Sequence, residues 1–371
     1  MKPQHLSTIL LLVALAAPGC GGDDAGALDD AGVTSPDAEA LPDLGPPSDG
    51  PPREGGALYG DQPFSIVLLP DTQFYAQSYP EMFVAEAAWI AEQKEAMKVA
   101  FVLHLGDIVE TPTQQPEWTR ADDALKMLEA AKIPYVLCAG NHDTNLMNRT
   151  AALMNQNFPT TRFAPALQGT FEPNKIENAY YFLPAGGRTW LIVSLEFGAR
   201  DEALVWADGI FKQNADKPAI LLTHAYMYIG QQRYDWIKYP DPKQYWNPHG
   251  YNMPGTTNDG EEMYQKLVSK NDNVLMVVSG HATKNEGATG LLSTKRANGY
   301  YLHEMLSNYQ GCPSDYMCIN PETMRPVRGG EGMLRIIRVD PLNRRATVET
   351  YSPYLKMSRM DPGHHFELPL E

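Results

Sequence analysis

The chain of 371 residues lacks three features that would each indicate a familiar class of protein. It contains neither a glycine-rich phosphate loop with its lysine nor a Gly-x-Gly-x-x-Gly fingerprint, which sets aside an NTPase or a dinucleotide-binding enzyme. Its N-terminal apolar run, residues 9–17, has nine residues, whereas a membrane-spanning helix needs about 20. Positive charge is also scarce, with 30 Lys and Arg against 45 Asp and Glu. This acidity argues against long DNA or RNA as a partner, and no protein partner is evident.

The N-terminus does contain a pattern typical of export. Residues 1–20 combine an early Lys2 with the short apolar run and with small residues before Cys20, as in a signal peptide. The residues before Cys20 resemble the lipobox of bacterial lipoproteins, although Ala17 stands where a Leu is usual. This resemblance implies a lipid on Cys20 and an exported protein anchored to a membrane, facing the periplasm or the cell surface. The alternative is an ordinary secretory cleavage site beside an incidental cysteine.

Residues 21–58 are almost devoid of large apolar side chains. They are rich in Gly, Ala, Asp and Pro, and they carry about half of the net charge of −15. Such a segment buries too little apolar surface to offset the entropy of ordering it, so we expect a flexible tether. The rest of the chain, residues 59–371, is long enough for one sizeable domain or two smaller ones.

Four cysteines occur in the sequence, and none is expected to be catalytic. Cys20 is the candidate for lipidation, and Cys138 lies in an apolar run where a buried thiol is expected. Cys312 and Cys318 flank a short loop. Because an exported protein meets an oxidising compartment, we expect these two to form a disulfide.

After the tether, apolar runs alternate with amphipathic segments. Residues 64–69, 99–105 and 134–139 are short apolar runs that predict buried strands. Residues 82–97 and 116–132 have apolar side chains at spacings of three and four, which predicts helices. This succession indicates an α/β fold with parallel strands, in which ligands bind beyond the carboxyl ends of the strands.

The second half continues the alternation. Strands are predicted at 190–194, 219–223 and 274–279, helices at 202–213 and 261–269, and closing antiparallel strands at 299–306, 332–339 and 345–351. Between them, residues 225–260 form a long segment rich in Tyr, Trp, Asn, Pro and Gly. A loop of this length is usually functional or disordered. It either stacks a nucleobase or sugar over a cleft or packs on itself as a lid.

Five short polar segments each follow a predicted strand, and together they suggest a pair of divalent metal ions. They are Asp71-Thr72-Gln73, Gly106-Asp107, Gly140-Asn141-His142-Asp143, Thr223-His224 and Gly280-His281. Taken singly, a strand-end Asp is more often a helix cap and a lone His more often a structural group. Their combination favours ligands, because a metal pair needs a bridging carboxylate, flanking carboxylates and imidazoles, and open positions. His104, within its strand, is expected to support the site or the core.

The order of these segments, PDTQ, GDIVE, GNHD, LLTHA and SGHAT, resembles the calcineurin-like metallophosphoesterase superfamily. The start at Asp71-Thr72-Gln73, with the later segments 303–310 and 350–353, resembles its secreted Asp-x-Gln subgroup. The resemblance covers residues 64–353. It implies an α-β-β-α fold, a four-layer sandwich of two mixed sheets flanked by helices.

The resemblance also implies roles for individual residues. Asp107 would bridge two divalent metal ions. The ligand set suits Mn, Fe or Zn equally. The other ligands would be Asp71 and Gln73 for the first ion, and Asn141, His224 and His281 for the second. His142 would protonate the leaving group, with Asp143 orienting its imidazole. A hydroxide on the metal pair would attack the phosphorus of a small phosphorylated substrate, either a monoester or a diester.

Two residues depart from the common pattern of the superfamily. Gln73 stands where many members have a His, and Thr283 stands where many have a second His. Both changes predict a weaker first metal position. His303 either fills the gap left at Thr283 or is a structural strand residue. The alternative function is a metal-binding surface lipoprotein with the same fold and impaired catalysis.

Overall fold

The computed structural model describes residues 58–284, 287–311, 318–319 and 326–371. The first twenty residues, the tether up to residue 57 and Cys312 of the predicted Cys312–Cys318 disulfide lie outside these ranges. Cys138 is buried, as expected. No helix in the described ranges combines the length and the apolar character needed to cross a membrane.

Strands occur along the whole of the described part of the chain. They are β1 Phe64–Leu69, β2 Val99–His104, β3 Tyr135–Leu137, β4 Leu167–Thr170, β5 Ala179–Ala185, β6 Arg188–Leu195, β7 Ala219–Thr223, β8 Met227–Tyr228, β9 Gln232–Arg233, β10 Val274–Ser279, β11 Ala288–Lys295, β12 Tyr301–Asn308, β13 Cys318–Ile319, β14 Pro326–Val327, β15 Leu334–Asp340, β16 Arg345–Ser352, β17 Met357–Arg359 and β18 Phe366–Pro369.

Helices connect the parallel strands. They are α1 Gln73–Ser78, α2 Pro80–Met97, α3 Gln115–Ala130, α4 Ala152–Asn157, α5 Asp201–Gln213 and α6 Gly260–Lys266, with 3₁₀ turns at Thr160–Phe163, Pro248–Tyr251 and Val268–Lys270. Pro80 begins α2, where its fixed φ suits the first turn and its missing N–H costs nothing. Helix α6 begins with a capping box, in which Asp259 and Glu262 each accept the backbone N–H of the other.

Two large mixed sheets are formed. The first has the order β17-β16-β15-β1-β2-β3, with β18 also pairing with β16. In it, β1, β2 and β3 are parallel, and β15 runs antiparallel to β1. The second has the order β11-β12-β10-β7-β6-β5-β4, in which β6, β7, β10 and β12 are parallel. Each sheet therefore presents a group of parallel strands whose carboxyl ends share one edge.

The alternation of side chains along β6 shows how the layers stack. Ile192 joins a core shared by both sheets, whereas Leu191 and Val193 point the other way. On that outer face they pack in one cluster with Leu204 of α5 and Met263 of α6. Helices α2 and α3 pack against each other, and α2 contacts β1 and β2 of the first sheet. The predicted α-β-β-α sandwich is confirmed.

The predicted pairing of one closing strand is wrong in part. The segment 299–306 was expected to pair antiparallel, and β12 does so with β11, but it pairs parallel with β10. The hairpin partner β11 makes this possible, because it reverses the chain between β10 and β12 without a helix. Strand β12 therefore ends at the same edge of the sheet as β7 and β10.

Glu86 is an unusual member of the core. It lies on the inner face of α2 and is fully buried, and neither of its carboxyl oxygens has a hydrogen-bond partner. Burial raises the pKa of Glu86 well above its ordinary value. A carboxyl whose pKa is higher in the folded state stabilises the fold at low pH, and this contribution is lost as the pH rises above the unfolded-state pKa.

We expect Glu86→Gln to stabilise the fold at neutral pH. Keeping Glu86 protonated costs about 1.4 kcal/mol per pH unit above an unfolded-state pKa of about 4.3, so the expected gain at pH 7 is at most about 3.7 kcal/mol. Urea unfolding between pH 4.5 and 7.5 measures it, and the variant should show the flatter pH dependence. Glu92→Gln, at an exposed position of the same helix, is the control. Equal pH dependence in wild type and Glu86→Gln would contradict the prediction.

Candidate metal centre and active site

The predicted ligands come together at the shared edge of the two sheets. Asp71 and Asp107 follow β1 and β2, and His224 and His281 follow β7 and β10. Direct hydrogen bonds link the two groups across the sheets: Asp107 Oδ2 lies 3.1 Å from His224 Nε2, and the His281 N–H reaches Asp71 Oδ2 at 3.1 Å. The two sheets thus supply one site.

Three glycines of the polar segments allow this close approach. A Cβ added at Gly106 would lie 2.5 Å from His224 Nδ1. At Gly140 it would lie 2.1 Å from Asp107 Oδ1, and at Gly280 it would lie 2.1 Å from Asp71 Oδ1. Any side chain there would displace a predicted ligand, which explains the glycine in these three segments.

Asp107, His224 and His281 form the tightest part of the site. One ligand atom from each lies within 4.8 Å of the others, and all three residues are buried. The facing ring nitrogens, His281 Nδ1 and His224 Nε2, are 3.2 Å apart. Two nitrogens held by one tetrahedral ion at about 2.0–2.1 Å would lie about 3.3 Å apart. The ring positions therefore suit a shared cation.

The outer nitrogens of both rings are held by backbone carbonyls. His224 Nδ1 donates to the carbonyl of Leu105 at 2.8 Å, and His281 Nε2 donates to the carbonyl of Trp246 at 2.8 Å. These bonds leave His224 Nε2 and His281 Nδ1 as the nitrogens available to a metal, an arrangement common among metal-binding histidines.

The protonation of the two rings fits a cation site. Burial would lower the pKa of His224, but the carboxylates of Asp107 and Asp71 outweigh it and raise the pKa to about 9. Burial, reinforced by the charge on His224, lowers the pKa of His281 to about 3. One ring is therefore charged and the other neutral, with a single proton between them. A metal ion would take the place of this proton.

Asp71 is held in place by residues from the second sheet. Its Oδ2 accepts from the side chain of Asn308 at 2.7 Å, and Asn308 also donates to the carbonyl of His281. Burial, opposed by His224 and reinforced by the charge on Asp107, raises the pKa of Asp71 to about 8. Two buried carboxylates that repel each other in this way are stabilised by a positive ion between them.

Two buried oxygens at the site have no hydrogen-bond partner, and both belong to predicted ligands. They are Gln73 Oε1 and Asn141 Oδ1. The other end of the Gln73 amide is bound, because Nε2 donates to Glu110 at 3.0 Å. Buried polar atoms are rarely left unpaired unless an ion or a water completes them. The residues present therefore fit a cation centre with mixed carboxylate, amide and imidazole ligands.

His142 contacts Glu110, not Asp143. Its Nδ1 donates to the backbone carbonyl of Glu110 at 2.9 Å and lies 3.3 Å from Glu110 Oε2. Burial lowers the pKa of His142, but the charges on Asp107 and Glu110 outweigh this effect and raise it. The side chain is one-third exposed.

The predicted orienting role of Asp143 is therefore wrong, because its carboxylate is otherwise occupied. Its Oδ1 accepts the backbone N–H groups of Ile108 and Val109, and its Oδ2 accepts that of Gly140. Asp143 thus joins the loop after β2 to the loop after β3. Its effect on the site is to fix the backbone that carries Asp107 and His142.

The structure places three other predicted residues outside the ligand set. His104 is fully buried and links Thr72 Oγ1, at 2.9 Å, to the N–H of Gly106, so it supports the loops as expected. Thr283 donates its hydroxyl to the carbonyl of Gln310. His303 uses both ring nitrogens, on Ser293 and on the carbonyl of Pro369, and is a structural strand residue.

Two functional residues were missed in the sequence, and each had a visible signal. Glu110 closes the GDIVE segment, three residues after Asp107, and Asn308 ends β12 at the edge that carries the other ligands. A second group of possible ligands, His249, Asp259 and Glu262, is the capping box of α6 with a histidine bound to it. It is explained by that helix terminus.

Comparison with known proteins agrees with this geometry. The family model described as calcineurin-like phosphoesterase matches residues 64–284, and the chain belongs to that family. A curated relative, YvnB of Bacillus subtilis (strain 168), is 28% identical over 297 residues, which is 79% of this chain. The chain spans only 20% of that relative's length.

A solved structure shares the fold, and a second one covers a similar share of this chain. A purple acid phosphatase, PPD1 from yellow lupin (Lupinus luteus) seeds, matches with a TM-score of 0.51 and 13% identity, covering 83% of this chain and 54% of its own. A dimetal phosphatase from Danio rerio matches with a TM-score of 0.49 and 12% identity, covering 84% of this chain and 100% of its own.

Proposed function

We propose that the protein hydrolyses a small phosphoester at a centre of two divalent metal ions. The observation that carries this proposal is the meeting of predicted ligands from both sheets: one ligand atom each of Asp107, His224 and His281 lies within 4.8 Å of the others. Gln73 and Asn141 add buried oxygens that have no hydrogen-bond partner. Asp107, Asn141, His224 and His281 would hold one ion. Asp71, Gln73 and Asp107 would hold the other.

The residues of the site have separable tasks in this reaction. Bound divalent ions would supply Lewis acidity and a nucleophile at neutral pH. His142 would donate a proton from Nε2 to the departing alkoxide, since its Nδ1 is held by Glu110. Glu110 would keep the ring oriented and charged, and Asp143 would hold the two loops in register.

The alternative is a metal-binding surface lipoprotein with impaired catalysis, supported by Gln73 and Thr283. Thr283 stands where many members have the second histidine, and its hydroxyl donates to the carbonyl of Gln310. The His142–Glu110 pair favours catalysis, because a purely metal-holding site has no use for a histidine held in this way. Both proposals predict metal binding, and they differ in turnover.

A substrate panel separates them. Protein loaded with Mn²⁺, Zn²⁺ or Fe²⁺ is assayed on a p-nitrophenyl monoester and on bis-p-nitrophenyl phosphate, with a chelator-treated sample as the control. We expect metal-dependent release of p-nitrophenol from at least one ester. Metal binding without hydrolysis of either ester would favour the alternative, a metal-binding surface lipoprotein with impaired catalysis.

We also propose that the protein works outside the cytoplasm, held to a membrane by a lipid on Cys20. The pattern of residues 1–20 and the acidic, apolar-poor segment 21–58 support this location. Cys20→Ser is expected to move the protein from the membrane fraction to the soluble exported fraction. Fractionation of cells expressing the full chain measures it, and an unchanged membrane fraction would contradict the proposal.

A further inference from the structure

Trp246 occupies a position that its residue type does not favour. Its φ is +62°, in the left-handed region, which glycine and asparagine adopt readily and in which a bulky side chain is strained. The indole is 47% exposed, so burial of the ring gives little in return for this strain. Strained positions of this kind cluster at functional sites.

The backbone of Trp246 is fixed to the metal centre. Its carbonyl accepts from His281 Nε2 at 2.8 Å, so Trp246 lies one imidazole ring away from the ligand atom His281 Nδ1. The preceding residue is also held through its backbone, because the carbonyl of Tyr245 accepts from the hydroxyl of Tyr234. Hydrogen bonds to backbone carbonyls therefore anchor this segment. The side chains of Tyr245 and Trp246 are not used for this anchoring.

The rings of Tyr245 and Trp246 form a half-exposed aromatic pair on the segment whose backbone contacts His281. Tyr245 is 52% exposed, and the ring centroids are 5.9 Å apart at 49°, so neither face is covered by stacking on the other. Two other tyrosines of the loop, Tyr226 and Tyr234, are fully buried. An exposed aromatic face anchored next to a phosphoryl site is suited to stack on a planar ring.

On the basis of the proposed function, we infer that Trp246 determines specificity by stacking on an aromatic or heteroaromatic group of the phosphoester. The phosphoryl group would lie at the metal centre, and the planar group would lie against the indole. The carbonyl of the same residue orients His281, so one residue would serve the metal through its backbone and the substrate through its side chain.

The test uses Trp246→Gly, which keeps the carbonyl, relieves the backbone strain and removes the indole. Two phosphonates that cannot be hydrolysed, benzylphosphonate and cyclohexylmethylphosphonate, share the same charged group and differ in whether the ring is planar. Each is titrated calorimetrically into Mn²⁺-loaded wild type and variant. Ile237→Ala is the matched control, because Ile237 is 89% exposed in the same loop.

We expect Trp246→Gly to weaken benzylphosphonate binding about tenfold, with cyclohexylmethylphosphonate changed less than about twofold. Manganese content should equal that of the wild type, and Ile237→Ala should alter neither affinity. Equal weakening of both phosphonates, or loss of manganese, would show that Trp246 acts only through His281 and would overturn the inference. Equal affinity of the wild type for both phosphonates would overturn the inference about Trp246 and leave the proposed function standing. Failure of the wild type to bind either would overturn the proposed function and the inference together.

Discussion

Asp107→Asn is expected to reduce phosphoester hydrolysis by about 10³-fold or more, with loss of bound metal. Asp107 is buried at the point where the two sheets meet, and its Oδ2 faces His224 Nε2 at 3.1 Å. An amide has no charge to balance two cations, and the Lewis acidity at stake is worth several kcal/mol of barrier, or about tenfold for each 1.4 kcal/mol.

The asparagine variant is a sharp test because it preserves the local hydrogen bonding. Asp107 Oδ1 accepts the backbone N–H of His142 at 2.9 Å, and an amide oxygen can do the same. The fold should survive, as checked by circular dichroism, while metal per chain falls in elemental analysis. Asp216→Asn, at a side chain 76% exposed, is the control and should change neither quantity. An Asp107→Asn protein with full metal content and full activity would contradict the site described here.

His142→Ala is expected to slow hydrolysis of an alkyl phosphoester by about 10²- to 10⁴-fold while metal content stays unchanged. The imidazole is absent from the ligand set, and its Nδ1 is held by the Glu110 carbonyl. A proton donor matters most when the leaving alkoxide is a strong base. The loss should therefore be much smaller for p-nitrophenyl esters, whose leaving group is stable without a proton.

The dependence on leaving group distinguishes a proton donor from a structural histidine. Kcat is measured for a p-nitrophenyl and an alkyl ester of the same class in wild type, His142→Ala and Glu110→Gln. Glu110→Gln should show the same pattern with a smaller loss, because the backbone carbonyl still holds the ring. An equal loss on both esters in His142→Ala would show that the residue acts in some way other than protonation.

The ligand positions were predictable because they depend on local features of the chain. A buried apolar run followed by glycine and a polar residue marks a strand end, and parallel strands bring their carboxyl ends to one edge. Asp71, Asp107, His224 and His281 each follow such a run, Asp107 and His281 directly after a glycine, and the four residues lie together in the structure.

Roles were left open or misassigned where strand pairing or backbone atoms decide the outcome. His303 shares β12 with Asn308, and the register Met276 to His303 and Ser279 to Leu306 places it towards the start of that strand. Five residues separate it from Asn308, about 17 Å along a strand, so His303 cannot reach the edge that holds the metal ligands. No sequence pattern gives a register between β10 and β12.

Asp143 was assigned to His142 from the resemblance to the superfamily. The structure shows that its oxygens are used by the backbone N–H groups of Ile108, Val109 and Gly140, and that Glu110 holds the imidazole instead. Every residue has a backbone carbonyl, so the sequence does not show which carbonyl a histidine will contact. The same limit hid the bond from the Trp246 carbonyl to His281.

The central claim is that two metal ions at the Asp107 centre make the protein a phosphoesterase. The most direct measurement is a titration of chelator-treated protein with Mn²⁺, in which bound metal and the rate of bis-p-nitrophenyl phosphate or p-nitrophenyl phosphate hydrolysis are followed in the same samples. We expect no hydrolysis without metal. A first equivalent of Mn²⁺ should bind tightly, and hydrolysis should rise as a second equivalent binds more weakly. Full hydrolysis by metal-free protein, or two bound equivalents with no hydrolysis of either ester, would contradict it.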